Sequence, residues 1–200
     1  MKNEFTLPDK TEMSEVKEVK KPFKKIRNRM IVIISVLTIV FASMFVFMIQ
    51  KGEFTKWNHS TYDINLMKDK EVIYLGNYIL SWNGYGNPKI LDIYFIQMDG
   101  TIVREEQGQL TVTPYIDHSQ TIGVVDETHV REEGLEDELV PIQGYQSVNK
   151  EYHLAFRVEL KDKADIQDVH TMVVEFRHFG LKKTQEIEFE GFFHESDENE

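Results

Sequence analysis

The sequence contains no cysteine among its 200 residues. This absence excludes disulfide bonds, a thiol nucleophile, thiolate ligands for a metal and a lipid-modified cysteine near the amino terminus. A domain of this chain that lies outside a membrane must therefore be held together by packing alone.

Recognisable catalytic and cofactor-binding motifs are also missing. The seven histidines show no HExxH or comparable metal-ligand spacing, and no G-x-S-x-G, S-x-x-K or phosphate-binding glycine pattern occurs in residues 51–200. We therefore expect no catalytic residue, no cofactor and no metal. A surface hydrolase stays open as one function class, because the many acidic residues could supply a catalytic pair.

Positive charge is scarce beyond the first 29 residues. Residues 1–29 hold nine Lys or Arg and five Asp or Glu, whereas residues 51–200 hold fourteen and twenty-nine, a net charge of −15. A domain this acidic is repelled by nucleic acid and by anionic surfaces, so the sequence predicts no nucleic-acid partner.

One long apolar run, Met30–Ile49, organises the chain. It reads MIVIISVLTIVFASMFVFMI, has no charged residue, and at helical rise spans about 30 Å, the thickness of the bilayer's hydrocarbon core. The run is longer than the apolar region of a signal peptide, and no small-residue cleavage site follows it. It predicts an uncleaved transmembrane helix over residues 30–49, with the lipid bilayer as its partner.

Six cations and no carboxylate precede this run, namely Lys20, Lys21, Lys24, Lys25, Arg27 and Arg29. Positive charge next to a span favours the cytoplasmic side, and these residues could also bind anionic lipid. We therefore expect residues 1–29 to be a cytoplasmic, basic, disordered tail, with a transient helix over Thr11–Lys21 as the alternative. The carboxyl-terminal part would lie outside the cell membrane.

The remainder divides into a stalk or linker over residues 50–70, a β-domain over 71–194 and an acidic tail over 195–200. Alternation of apolar and polar residues is clearest in Tyr152–Lys161, which predicts a half-buried strand. Asp99-Gly100 between two β-branched runs predicts a hairpin.

Seven to nine short strands with turn signals about every ten residues predict an all-β, antiparallel sandwich outside the membrane. The layout of roughly residues 70–194 resembles the immunoglobulin-like or fibronectin-like domains carried by many exported bacterial proteins. This resemblance rests on strand spacing and implies architecture alone.

Two segments are candidates for contact with a partner. In SWNGYGNP (81–88), Trp82 and Tyr85 could form an aromatic, flexible tip that stacks on glycan or peptide, although Trp82 could instead close the core. In DETHVREEGLEDE (126–138), we expect a solvated, mobile loop that lacks calcium-loop spacing but could contact a basic partner. Its candidate contact residues are Glu132, Glu133, Glu136, Asp137 and Glu138.

Taken together, these patterns predict a single-pass bacterial cell-surface protein, anchored in the cell membrane, that binds a protein or cell-wall partner and has no catalytic activity. Two alternatives remain open. One is a transmembrane sensor or regulator that signals through the short cytoplasmic tail, and the other is the surface hydrolase.

Overall fold

The computed structural model describes residues 10–69, 72–104, 110–161 and 167–194, with residues 10–25 described by their backbone. The chain divides into two compact units, one ending at Gln50 and the other beginning at Lys51. In the described residues the first unit is helical, and the second is built mainly of strands.

The first unit contains a single described helix, α1, which runs from Lys10 to Gln50. Its part from Ile26 to Gln50 is apolar, has no buried side chain, and is long enough to cross a membrane. The hydroxyls of Thr38 and Ser43 donate to the carbonyl oxygens of Ile34 and Ile39, so these polar groups are satisfied within the helix. By length and composition, this segment is a membrane anchor or a signal sequence.

The helix begins well before the predicted span. Its backbone is helical from Lys10 and includes Thr11–Lys21, where we expected a disordered tail with a transient helix as the alternative. Adding residues to an existing helix avoids the unfavourable nucleation step, which explains why a polar segment next to an apolar helix continues it. Residues 1–9 of the predicted tail lie outside the described residues.

The second unit has the antiparallel arrangement of strands predicted from the sequence. The strands are β1 (Phe54–Trp57), β2 (Tyr62–Asp63), β3 (Val72–Trp82), β4 (Lys89–Gln97), β5 (Ile102–Val103), β6 (Leu110–Asp117), β7 (Val124–Asp126), β8 (Leu139–Pro141), β9 (Glu151–Leu160), β10 (Val169–His178), β11 (Leu181–Glu188) and β12 (Phe193–His194). Between them lie the helix α2 (Glu127–Glu132) and two 3₁₀ turns, Leu66–Asp69 and Leu135–Glu138.

These strands form two main sheets. One has the order β1-β3-β9-β6-β8, with β7 beside the first half of β3, and the other has the order β11-β10-β4-β5. All pairs among the described strands are antiparallel except the short pair of β2 and β12, which is parallel. The predicted hairpin at Asp99-Gly100 is confirmed, because β4 pairs with β5 across it.

The two sheets face each other across one apolar core. Phe95 of β4 lies 5.2 Å from Phe156 of β9, and Trp82 of β3 lies 5.4 Å from Phe176 of β10, measured between ring centroids. The predicted strand around Tyr152–Lys161 is confirmed as β9, whose inward side chains are buried. Alternating burial along such strands is the pattern of a sheet with one face in the core.

Residues 51–69 of the predicted stalk (50–70) are part of the domain, which corrects that expectation, whereas Gln50 ends helix α1. Phe54 of β1 and Met67 are almost fully buried in the core, and β1 pairs with the end of β3. The main chain of Phe54 also exchanges two hydrogen bonds with the side-chain amide of Gln185. Strands of two and four residues are too short to show a period, which is why the sequence did not reveal them. The acidic tail, 195–200, lies outside the described residues.

The acidic segment 126–138 is ordered, which corrects the prediction of a mobile loop. It forms the end of β7, helix α2 and a 3₁₀ turn, and the side chain of Asp126 accepts a hydrogen bond from the backbone N–H of His129. Val130 is fully buried and forms, with Tyr74, Ile122 and Ala155, a second small core. We call residues 127–138 the acidic cap, because they cover part of this second core while their carboxylates face solvent.

Removal of two methyl groups from this second core tests whether the acidic cap is ordered. We expect Val130→Ala to destabilise the β-domain by about 2 kcal/mol, since it removes buried apolar surface and leaves a cavity. Urea unfolding of residues 51–200 measures the loss, and Thr128→Ala, an exposed change in the same helix, is the matched control. Equal stability of the two variants would contradict the packed position of Val130.

Candidate functional site

Four segments meet at one end of the β-domain, and we call them the anchor-side end. They are the entry segment Lys51–Glu53, the turn Asn83–Pro88 after β3, the turn Ser147–Lys150 before β9, and the turn Phe179–Gly180 between β10 and β11. Strand register brings them together, since Phe54 pairs with Trp82, Ser81 with Glu151, and Lys89 with Arg177.

Trp82 lies in the core and holds this end together. It is 3% exposed, and its ring centroid is 5.0 Å from that of Phe54 and 4.9 Å from that of His178. The ring also packs against two glycines, because a Cβ added to Gly52 or Gly84 would lie 2.3 or 2.5 Å from it. Trp82 therefore closes the core, which is the second of the two roles considered for it from the sequence. A partner could not stack on its ring in this conformation.

Tyr85 is half-exposed, in keeping with its predicted role as a contact residue, but its turn is well held rather than flexible. The carbonyl oxygen of Tyr85 lies 2.6 Å from Nε2 of the buried His178 and accepts a weaker bond from the indole nitrogen of Trp82. The ammonium group of Lys150 donates to the carbonyl oxygen of Gly84 at 2.8 Å. Because a carbonyl oxygen can only accept, Nε2 of His178 carries a proton and donates this hydrogen bond.

Two further exposed apolar side chains lie on the turns joined to that of Tyr85, and sequence reasoning missed both. Phe179 is 44% exposed, with its ring 4.3 Å from the ring of His178, and Val148 is 86% exposed. The side-chain amide of Asn87 donates to the carbonyl oxygen of Val148, which ties the two turns together. Each residue stands alone in a polar turn, so only the strand register could have revealed that they converge.

The acidic cap presents the five predicted carboxylates to solvent. Glu132 and Glu133 follow one another at the end of α2, and Glu136, Asp137 and Glu138 lie in the 3₁₀ turn; all five are exposed. Within the cap, the guanidinium of Arg131 approaches Glu136 at 3.8 Å, but both side chains are largely exposed, so this pair contributes little stability. The structure brings these residues together on one surface.

The predicted basic cluster lies within helix α1. Arg27 and Arg29 are exposed at the start of its apolar part, and Lys20, Lys21, Lys24 and Lys25 lie in the preceding helical turns. Their role in orientation and lipid binding stays a prediction.

Three titratable groups with raised pKa values connect segments of the fold. The carboxylate of Asp168 accepts hydrogen bonds from the backbone N–H groups of Phe192 and Phe193, and burial raises its pKa. The hydroxyl of Tyr78 donates to the carbonyl oxygen of Ser60, and burial raises the pKa of Tyr78. Tyr152 donates likewise to Pro88, and burial raises its pKa to about 12. These hydrogen bonds indicate that Asp168, Tyr78 and Tyr152 stabilise the fold.

Asp168, Tyr78 and Tyr152 do not line the cleft described next. One cleft, of about 350 Å³, lies between β4 and β6 and is lined by Asp92, Arg104, Tyr115 and Gln143, among others. Among the residues that the structure describes, no three His, Asp or Glu side chains are grouped so that they could hold a metal ion.

Comparisons with known proteins leave the family open. No protein-family model, no curated protein and no solved structure matches the chain. The function is therefore argued from the anchor, the acidic cap and the anchor-side end.

Substitution of Gly84 tests the packing around Trp82. A Cβ at this position would lie 2.5 Å from the indole ring and 2.7 Å from the Cα of Gly52, and neither neighbour can move away freely. We expect Gly84→Ala to cost about 1–3 kcal/mol of the free energy of unfolding, as overpacking of a core does. Gly123→Ala, where a Cβ would meet nothing within 4 Å, is the control in the same urea titration.

The pH dependence of stability tests the environment of His59. Burial and the neighbouring Lys56 lower its pKa below 6.5, and the opposing charges of Glu190 and Asp168 do not restore it. The folded protein therefore binds this proton more weakly than the unfolded chain, so stability falls as pH decreases below about 6.5 towards the lowered pKa.

We expect His59→Gln to reduce the fall in Tm between pH 7.5 and pH 5.5, compared with the unchanged protein. Asp168 is present in both proteins, and desolvation and backbone hydrogen bonds act on its pKa more strongly than His59 does, so most of its own titration cancels in the comparison. His129→Gln, an exposed change in α2, serves as the control and should keep the full pH dependence. An identical pH dependence in His59→Gln would contradict a lowered pKa.

Proposed function

We propose that the protein is a single-pass protein of the cell membrane that displays its β-domain outside the cell as a binding or accessory module. One observation carries this proposal: an apolar helix with no buried side chain, Ile26–Gln50, is joined by a few residues to a compact β-domain. A helix that is apolar all round is stable in lipid rather than in water.

In this proposal, the orientation of the protein in the membrane follows from the charged residues on either side of the apolar stretch. The six cations from Lys20 to Arg29 stand directly before the apolar stretch, whereas Lys51 is the only basic residue in the first five residues after it. By the positive-inside rule, the amino terminus is cytoplasmic and the acidic domain is extracytoplasmic.

The same proposal includes an immunoglobulin-like sandwich as the displayed fold. With the strands lettered in chain order, the sheet order β1-β3-β9-β6 corresponds to A-B-E-D of that fold, and the sheet order β11-β10-β4-β5 corresponds to G-F-C-C′. The antiparallel pairing and the aromatic contacts between the sheets support this assignment. Such sandwiches present their loops on a rigid framework, which suits binding.

The acidic cap is the surface that we propose for a partner outside the cell. Its five exposed carboxylates are fixed to the sheet through Val130, so a basic surface would meet a preformed charge pattern. We also propose that the domain has no catalytic activity. The buried Asp168, Tyr78 and Tyr152 support this, because each uses its polar atoms in bonds that hold the fold.

In-cell crosslinking of the full-length protein tests the proposal. We expect a single stoichiometric protein or cell-wall partner, identified by mass spectrometry, whose yield falls at least fivefold when the five cap carboxylates are changed to Gln or Asn. The control changes Glu186 and Glu188 on β11 to Gln and should keep the yield. Turnover of a wall or glycan substrate by the purified domain would contradict this function. A crosslinking yield that does not change when the cap carboxylates are replaced would also contradict it.

A second candidate, a transmembrane regulator, is favoured by the length of α1. The helix extends sixteen residues ahead of its apolar part, which would let a change outside reach the cytoplasmic segment. Alanine replacement across Thr11–Lys21 separates the two functions. A signalling protein should lose its phenotype, whereas an anchored binding module should not.

A further inference from the structure

We propose that the anchor-side end of the β-domain lies in the headgroup layer of the outer leaflet, with Tyr85, Val148 and Phe179 in contact with lipid. This inference rests on the proposed membrane anchor and adds a second contact between the protein and the bilayer. The occupant of this surface is the lipid of the membrane that holds the helix.

Chain length places this end close to the bilayer. Helix α1 ends at Gln50, and three residues later Glu53 is bonded to the turn after β3. The N–H of Glu53 donates to the side-chain oxygen of Asn83 at 2.8 Å, and the carbonyl oxygen of Glu53 accepts from the N–H of Asn83 at 3.1 Å. Three residues reach at most about 10 Å. The polar layer of one leaflet is about 5–7 Å thick, so Glu53 lies in this layer or within about 5 Å of its surface, and the turn bonded to it lies next to it.

The connection between helix α1 and the packed part of the domain is short. Gly52 lies against the ring of Trp82, and a Cβ at Gly52 would be 2.9 Å from the Cα of Gly84. The residue after the helix, Lys51, is therefore followed at once by a residue packed into the domain. The turn that carries Tyr85 is held to the same Trp82 ring and to His178.

The exposed side chains at this end have the chemistry of a membrane interface. Tyrosine combines an apolar ring with a polar hydroxyl and is enriched at headgroup depth, and phenylalanine and valine add apolar surface. Tyr85, Phe179 and Val148 are 51%, 44% and 86% exposed, on three turns that hydrogen bonds and ring contacts join. The exposed Met98, by contrast, follows the opposite end of β4.

Charge at the anchor-side end also suits a lipid surface. Residues 51–200 carry a net charge of −15, which repels anionic headgroups, but the four segments of this end contain two lysines and one glutamate. The acidic residues of the cap lie in other segments of the chain. The domain can therefore approach an anionic leaflet by this end, whereas the cap would be repelled.

A lipid surface fits this end better than a second protein does. A stable protein interface takes about 800 Å² and 20–30 residues from each partner, far more than three exposed apolar side chains provide. A contact with the bilayer needs little intrinsic affinity, because the helix already holds the domain at a high effective concentration near the membrane.

Single cysteines carrying an environment-sensitive fluorophore test this proposal, since the chain has no cysteine of its own. Val148→Cys and Tyr85→Cys report on the anchor-side end, and Met98→Cys, 82% exposed at the turn between β4 and β5, is the matched control. The full-length protein is reconstituted in vesicles of phosphatidylcholine and phosphatidylglycerol at three to one. Phe41→Cys, inside the apolar helix, reports whether the anchor is inserted.

We expect the fluorescence emission of the labels at positions 148 and 85 to be blue-shifted relative to that of the label at position 98. These two labels should also be at least twofold less accessible to aqueous iodide than the label at position 98, and lipids that carry a nitroxide in the headgroup should quench them. Iodide accessibility equal to that at position 98, with position 41 quenched by nitroxide at the bilayer centre, would overturn this inference while leaving the anchor intact. Failure at position 41 would overturn the proposed anchor itself. Shielding without headgroup quenching would mean that protein covers the surface, and would also overturn the proposal.

Discussion

The apolar surface of helix α1 is the constraint on which the rest of this structure depends. From Ile26 to Gln50 none of its side chains is buried by the residues that the structure describes. Thirteen of the twenty residues from Met30 to Ile49 are Ile, Val, Leu or Phe, and at about −0.3 to −0.6 kcal/mol each they favour insertion by about 4–8 kcal/mol. Three small hydroxyl groups, two of them bonded within the helix, do not offset this.

Only Lys51 separates the end of helix α1 from the first packed residue of the β-domain, Gly52. Gly52 and Glu53 are already packed or hydrogen-bonded to the turn after β3, so the folded domain begins two residues after the helix ends. Trp82 is central here, since it joins the entry segment, the turn after β3 and the core rings of Phe54 and Phe176. The binding surface that we propose, the acidic cap, belongs to a different part of the domain.

Aromatic packing takes the place of the missing disulfides. Phe95, Phe156 and the pair Phe189 and Phe192 come from three segments, and their ring centroids lie 4.8–6.3 Å apart, within the range in which aromatic pairs attract. The buried carboxylate of Asp168 then fixes the backbone at Phe192 and Phe193. A chain without cysteine thus ties its carboxyl-terminal segment to the core by packing and charge-assisted hydrogen bonds.

The sequence allowed the apolar helix, the long strands and the hairpin to be predicted, because each has a period or a turn motif within one short window. It did not reveal β1 and β2, whose partners are distant in the chain, or the order in the acidic cap, where Val130 alone marks a buried face. For Tyr85 the sequence suggested exposure. It could not show that Val148 and Phe179 lie beside it, because that depends on strand register rather than on local pattern.

Thiol labelling on whole cells tests the central claim, that one helix crosses the membrane and leaves the β-domain outside. Single cysteines at Lys10 and at Met98 are treated with a membrane-impermeant maleimide before and after lysis. The account predicts labelling at position 98 in intact cells and at position 10 only after lysis. Labelling at position 10 in intact cells, or protection of position 98 until lysis, would contradict it.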